Sequence, residues 1–512
     1  MSRPVRLALL AAALLSPAPA DAMDDFMRAS RSGPLAMTFC TKNSDGSKIE
    51  GGASKFCKAH GYDKLVAAVD ASFAAAVGKA PANVRPLLKR DQVWFNEMIE
   101  EAATTVQEVD AAEIRRNFAA TLRQRVPVLN GIAAGFGRAG LNGKWTNTFG
   151  AVSITVGDNG AYRVTAELSS NYGSDKHWQC KLGATVKPSG NGWLSGAVDR
   201  ARPAQSTDAG APQNKPTEPL SIKLRRQGDT LRLVLVATDE QWDGFDDSGC
   251  ESLGQITGTY FASGKSDATD KADTTFVKPT FDCTHPDTAT DEEICADPEL
   301  AENDQRLNRA WKALLPRLDE TTRHALTEDQ RHWVRSQADQ FPEFLHPGWE
   351  KRTSEMHYTV NARDHLSGLQ RERIALLEGF DEKRDGLAGT WLAYNAIIKI
   401  TIDKDGGLEA NGWKWEQGDW KAGCDYEMSG SAKNAVFTSK EQGKNPDTLE
   451  RDHAMLIVNR LDDDFARKRY TDNGIAGNAD EAKCKRRLDI SSTARLFPAQ
   501  PSPDIDRLPG IR

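Results

Sequence analysis

No apolar run in this chain of 512 residues approaches the roughly 20 residues that a helix needs to cross a bilayer. The longest candidate, from Leu7 to Leu15, is too short. No G-x-S-x-G, H-E-x-x-H, P-loop or dinucleotide-binding glycine pattern occurs, so the usual marks of serine hydrolases, zinc proteases and nucleotide enzymes are missing. Cys-x-x-Cys pairs and Cys/His knuckles are missing too, so the cysteines do not read as a zinc site. Basic residues do not outnumber acidic ones. The formal net charge of −7 argues against nucleic acid and suits a basic partner. The chain therefore reads as a non-enzyme with no cofactor, no metal and no membrane span.

What is present begins at Met1. The segment Met1-Ser-Arg-Pro-Val-Arg6, the apolar stretch to Leu15 and Ala20-Asp-Ala22 are the parts of a secretory signal peptide. Cleavage near Ala22 is expected to give a periplasmic or secreted protein. No cysteine stands at that point to carry a lipid. The eight cysteines are Cys40, Cys57, Cys180, Cys250, Cys283, Cys295, Cys424 and Cys484. An even number behind an export signal reads as disulfides, because the compartment is oxidising.

The chain repeats itself. Around Phe73 it reads Ser-Phe-Ala-Ala-Ala-Val, followed by Arg85, Leu88, Asp91-Gln92 and Phe95. Around Trp311 it reads Ala-Trp-Lys-Ala-Leu-Leu, followed by Arg323, Leu326, Asp329-Gln330 and Trp333, each 238 positions later. A second match joins Leu141-Asn-Gly-Lys-Trp145 and Ile154 to Gly160 with Leu387-Ala-Gly-Thr-Trp391 and Ile400 to Gly406, at an offset of 246. The cysteines follow the same plan, and pairing within each module is the simplest connectivity. A short bridge between Cys283 and Cys295 is worth about 3 kcal/mol in loop entropy, and the longer bridges about 4 kcal/mol.

Periodicity separates the modules into types. Leu300, Leu307, Trp311, Leu314 and Leu318 place an apolar stripe on one helical face. Further helices are expected from about 321 to 341 and from about 353 to 377. Ile222 and Leu224, then Leu231, Leu233 and Leu235, alternate around Gln227-Gly-Asp229 and predict a hairpin. Short strands with glycine-rich turns suggest a small antiparallel barrel or sandwich. The expected class is α+β and multidomain, with two tandem copies of a small helical domain followed by a small antiparallel β barrel or sandwich. The expected boundaries are signal peptide 1–22, helical domain 23–138, β domain 139–262 with a Pro-rich loop at 199–218, linker 263–280, helical domain 281–380, β domain 381–497 and a disordered tail 498–512.

From Phe281 the residues become specific. Phe281-Asp-Cys283, Cys295, Leu300, Asp304, Leu307-Asn308 and Trp311 lead to Leu326, Gln330 and Trp333, then Tyr358 and Arg363. This segment resembles the family of LprI-type lysozyme inhibitors, small helical domains of exported bacterial proteins. The likeness lies in the paired cysteines, the Leu-Asn-x-x-aromatic helix and the Gln-x-x-Trp helix. It covers about 281–380, with a degraded second copy at about 40–129. Gln340 stands where family members often have another cysteine, and the lipidated cysteine of the namesake is missing. The β modules, opening Leu-x-Gly-x-Trp, loosely resemble lipocalin-type barrels.

Other side chains carry weaker chemical signals. His324/His332 and His357/His365 are each eight apart, two turns along a helix and too distant for one metal. Asp403 and Asp405 before Gly406 read as a hairpin turn, since the remaining ligands of a calcium loop are missing. Trp413, Trp415 and Trp420 form the main aromatic cluster; Trp413 and Trp415 share a strand face that serves either for stacking on sugar rings or for a barrel core. The resemblance implies an envelope binding protein that occludes lysozyme or another muramidase. The alternative is a non-inhibitory envelope protein whose β domains hold peptidoglycan fragments or a small ligand.

Overall fold

The structure is a computed structural model that describes residues 37–41, 54–109, 111–170, 178–199, 220–236, 257–265, 276–345, 362–416, 419–433, 436–439, 448–459, 494–506 and 508. The expected signal peptide, nearly all of the 199–218 loop and most of the 263–280 linker lie outside the described residues. The chain forms two compact units. One takes residues 1–78, 88–130 and 171–175; the other takes 79–87, 131–170 and 176–512.

In the first unit, Cys40 is bonded to Cys57. Helix α1 (Lys55–His60) starts at Ser54, whose hydroxyl accepts from the Cys57 N–H. It stops at Gly61, whose φ of 69° a residue with a side chain rarely adopts. Helix α2 (Tyr62–Lys79) then begins with Tyr62 packed edge-on to Phe118 at 4.9 Å. Helices α3 (Arg85–Val109) and α4 (Ala112–Gly135) are joined by a buried polar link. Arg125 donates to Asp91 at 2.8 Å and to Gln92 at 3.1 Å, with its guanidinium 4.9 Å from the Phe95 ring.

The second unit contains two closed eight-stranded meanders with helices between them. Strands β1 (Gly143–Asn147), β2 (Gly150–Val156), β3 (Tyr162–Ser170), β4 (Trp178–Gly190), β5 (Trp193–Ala197), β6 (Ser221–Gln227), β7 (Thr230–Val236) and β8 (Gly258–Ser263) form the first barrel, closed by antiparallel pairing of β1 with β8. The β6–β7 hairpin follows the alternation: Ile222, Leu224, Leu231, Leu233 and Leu235 are all buried. The second barrel runs through β9 (Gly389–Ala393), β10 (Ala396–Ile402), β11 (Gly407–Glu416), β12 (Asp419–Lys433), β13 (Val436–Ser439), β14 (Thr448–Asp452), β15 (Met455–Asn459) and β16 (Ala494–Ala499), and β16 closes it onto β9.

Both barrels open in the same way. The indole N–H of Trp145 donates to the Leu141 carbonyl at 2.9 Å, and that of Trp391 to the Leu387 carbonyl at 2.8 Å. The guanidinium of Arg138 lies 4.3 Å from the Trp145 ring, and that of Arg384 lies 5.1 Å from the Trp391 ring. Gly389, at φ 117°, leaves room for Arg384, since a Cβ there would sit 2.8 Å from the guanidinium. Burial and the neighbouring Arg226 push the Arg138 pKa down to about 10.

Between the barrels lie α5 (Ala289–Ala296), α6 (Pro298–Leu314), α7 (Glu320–Leu345) and α8 (Ala362–Glu378). Helix α8 is described from 362, so the expected start near 353 lies outside the described residues. The chain end corrects the expectation of a disordered tail over 498–506 and at 508, while 507 and 509–512 lie outside the described residues. Residues 498–499 belong to β16, and α9 (Pro503–Asp506) follows, with Ile505 and Leu508 fully buried. Proline-rich composition suggested disorder, but Ser502 accepts from the Ile505 N–H and Pro503 opens the turn, which are helix-start features. Two apolar residues three apart then anchor the turn in a core.

Candidate functional site

The segment around Asp297 concentrates buried charge. Cys283 is bonded to Cys295, and Thr288 forms a reciprocal capping box with Asp291 at the start of α5. Asp297 ends α5 and caps α6, accepting from the Glu299 N–H at 2.9 Å and the Leu300 N–H at 3.3 Å, with Pro298 in the first turn. An Asp-Pro step at a helix start needs no more than this. The other carboxylate oxygen, however, faces two guanidiniums. Arg232 donates to it at 3.0 Å and Arg363 at 2.8 Å, and Asp297 is 0% exposed.

The lattice extends from there. Arg232 also pairs with Glu293. Glu299 accepts from Lys223 at 2.6 Å, from Arg363 at 2.7 Å and from Ser367 at 3.2 Å. Arg225 pairs with Glu302 at 2.9 Å, and the Gln227 amide donates to the Cys295 carbonyl at 2.9 Å. Strand geometry explains the basic side. In β6, Ile222 and Leu224 point into the barrel, so Lys223, Arg225 and Gln227 point out, towards α5 and α6.

Electrostatics fix the protonation of this lattice. Burial disfavours the charged Asp297, but Arg363 and Arg232 outweigh it and hold the carboxyl far below the usual carboxylate range. Glu299 is lowered in the same way, with Arg363 and Lys223 overcoming burial. A general acid at neutral pH needs the opposite shift. These paired carboxylates act as a clamp between the helices and the first barrel.

A second contact joins the helices to the second barrel. Asp329 pairs with Arg373 at 2.6 Å and accepts from the Tyr394 N–H at 2.9 Å, while Gln330 accepts from Arg373 at 2.5 Å. Burial and the nearby Asp329 raise the Tyr394 phenol. Beside it lies an apolar layer of Leu314, Leu318, Leu326, Leu377, Ile397 and Phe497.

The expected site residues are distributed as follows. Trp415 is 2% exposed within that apolar layer, and Trp413 packs at its edge, half-buried. Leu408 and Ala410 take the inner face of β11, so both tryptophans project outside the barrel, towards the helices. Trp420 lies in β12, with its side chain outside the described residues. Cys180 falls in β4 and Cys424 in β12, while Cys250 and Cys484 lie outside the described residues, as do the pairings expected for them. His324 approaches Glu328 at 3.8 Å, and His332 stacks on Tyr394 at 5.1 Å. Asp403 accepts from the Asp405 and Gly407 N–H groups and shapes a hairpin turn. Sequence reasoning missed Asp297, Arg232 and the outward basic residues of β6. The available signal was the Lys223/Arg225 alternation opposite an acidic helix start.

The family described as Lysozyme inhibitor LprI matches residues 283–377, the segment that carries the Cys283–Cys295 bond, Asp297 and Arg363. No curated protein and no solved structure matches the chain.

Proposed function

We propose that the chain is an exported envelope protein whose 283–377 domain occludes lysozyme or a related muramidase. The match of that domain to the lysozyme-inhibitor family carries the reading. An inhibitor needs a stiff surface more than reactive groups, since rigidity lowers the entropy lost on association. The Cys283–Cys295 bond and the ion lattice around Asp297 supply that stiffness. Disulfides are consistent with an oxidising compartment, and the first 22 residues carry the signal-peptide pattern.

The proposal includes the origin of the chain by duplication of a helical domain and a barrel, bounded at about 23–138, 139–262, 281–380 and 381–497. Two correspondences support it. Arg125 holds Asp91 and Gln92 as Arg373 holds Asp329 and Gln330, and the Arg138–Trp145 stack matches Arg384–Trp391. The test is muramidase activity titrated with the mature, oxidised protein. Activity should fall to a low plateau near stoichiometric protein. Undiminished activity at a large excess would end the reading.

A further inference from the structure

Each barrel stacks a guanidinium on its opening tryptophan, and the two copies differ in what neutralises it. In the second barrel, Arg384 donates from Nε to Asp381 at 3.3 Å, from Nη1 to the Thr390 carbonyl at 2.5 Å and from Nη2 to the Ala499 carbonyl at 2.8 Å. Arg451, which also acts on Arg384, lies 3.6 Å from Asp385, so two arginines face two aspartates. In the first barrel, Arg138 is 7% exposed. Its Nη1 donates to the carbonyls of Lys144 at 2.8 Å and Ser263 at 3.3 Å, while its Nε and Nη2 are buried and meet no acceptor in the protein. At the barrel offset of 246, Gly135 stands where the second barrel has Asp381. No side chain fits there, since a Cβ on Gly135 would lie 2.2 Å from the Ala262 carbonyl oxygen. Arg226, 5% exposed, adds a second guanidinium beside Trp145, and its nitrogens donate to the carbonyls of Gly228, Gly140 and Arg138. Asp229 acts on both arginines, but it accepts from the Gly137 N–H at 2.7 Å and hydrogen-bonds neither guanidinium among the described residues. Two buried cations therefore share one carboxylate, and a buried charge without a partner is strongly unfavourable.

We infer that the end of the first barrel where β1 begins binds one small monocarboxylate, of the size of formate or acetate, on the Nε–Nη2 edge of Arg138. That edge presents two parallel N–H donors, the fork that the two oxygens of a carboxylate match. One negative charge closes the balance between Arg138, Arg226 and Asp229. A water brings acceptor capacity without charge, and a halide brings one centre in place of two. The burial of both nitrogens restricts the ligand to a few atoms. The bound acid takes the part that Asp381 plays beside Arg384, at a position where the chain has no room for a side chain of its own.

Saturation-transfer NMR of formate with the full oxidised protein, near neutral pH and at constant ionic strength, tests this site without any muramidase. A ligand of three heavy atoms reaches about millimolar affinity at best, so formate is scanned from about 0.1 to 50 mM. Saturable transfer is expected, displaced by acetate and resistant to an equal concentration of chloride. R138K keeps the charge but not the fork and should lose at least about tenfold in affinity. R384K, the same change beside Asp381, should bind as the parent does. Should R138K fail to fold, the arginine Nε–H resonances of the parent report instead, and one of them should shift with formate. The inference is overturned by no saturable transfer up to about 50 mM, or by displacement at an equal or lower concentration of chloride. Equal binding by the parent and R138K, an equal loss in R384K, or arginine resonances that all stay in place overturn it as well.

Discussion

Replacing Asp297 tests whether the ion lattice holds the helices to the first barrel. In Asp297→Ala, α6 loses the acceptor for two backbone N–H groups, and Arg232 and Arg363 lose a shared buried partner. Removing one member of a buried pair costs about 3–5 kcal/mol, because the remaining charge stays desolvated. An N-cap is worth about 1 kcal/mol. The contributions do not simply add, since Arg232 keeps Glu293 and Arg363 keeps Glu299. The expected loss is therefore about 3–5 kcal/mol in total. Asp297→Asn keeps an oxygen for the cap and should recover about 1 kcal/mol of it. Urea unfolding of the disulfide-intact protein, read together with amide exchange at Glu299 and Leu300, measures both variants. The pH dependence adds a sign. The folded carboxyl is depressed, so its stabilisation is complete above the unfolded value near 3.9 and is lost as pH falls through the folded value. The parent should keep this contribution from pH 7 to 5 and lose it only in stronger acid, a limb that Asp297→Asn should flatten. A loss under about 1 kcal/mol in both variants would refute the clamp, because it would equal no more than a cap.

Two further substitutions probe the other supports. Trp415→Ala empties a position enclosed by the helices and the second barrel and should cost about 3–5 kcal/mol in thermal or urea unfolding, with Trp413→Ala well below it; equal losses would show that the two indoles share one environment. Cys283→Ser with Cys295→Ser opens a short loop and should cost about 3 kcal/mol of loop entropy. An unchanged melting temperature would mean that the capping box at Thr288 already fixes this segment.

Local pattern carried much of the barrels. Alternation from Ile222 to Leu235 and the repeated Leu-x-Gly-x-Trp openings report which residues face inward, because strand period and turn chemistry are short-range. Alternation fixes parity alone, however. It places Trp413 and Trp415 on one face of β11 without saying whether that face lies inside the barrel. Closure of β9–β16 decides this by giving the interior to Leu408 and Ala410. The tail failed for a different reason. Proline content near 500 resembles disorder, whereas the burial of Ile505 and Leu508 depends on a groove built by residues more than a hundred positions earlier.

Asp297 marks the limit most clearly. Its role as a cap is local and readable, yet its partners Arg232 and Arg363 are 65 and 66 positions away and come from a strand and a helix. Neither arginine signals a partner from its neighbours. The meaning of β6 emerges once its outward row, Lys223, Arg225 and Gln227, meets the helix start that carries Asp297, Glu299 and Glu302. The two barrels thus hold the same helices with a different balance of forces, the second through an apolar layer beside one polar contact, the Tyr394 N–H to Asp329. The apolar layer at the second barrel is tolerant of small shifts, since burial is not directional. The lattice at the first barrel is not, because a displaced guanidinium leaves a buried carboxylate unpaired. Register between the helices and the first barrel is therefore set at Asp297, while at the second barrel the apolar layer supplies most of the adhesion and Asp329 one directional contact.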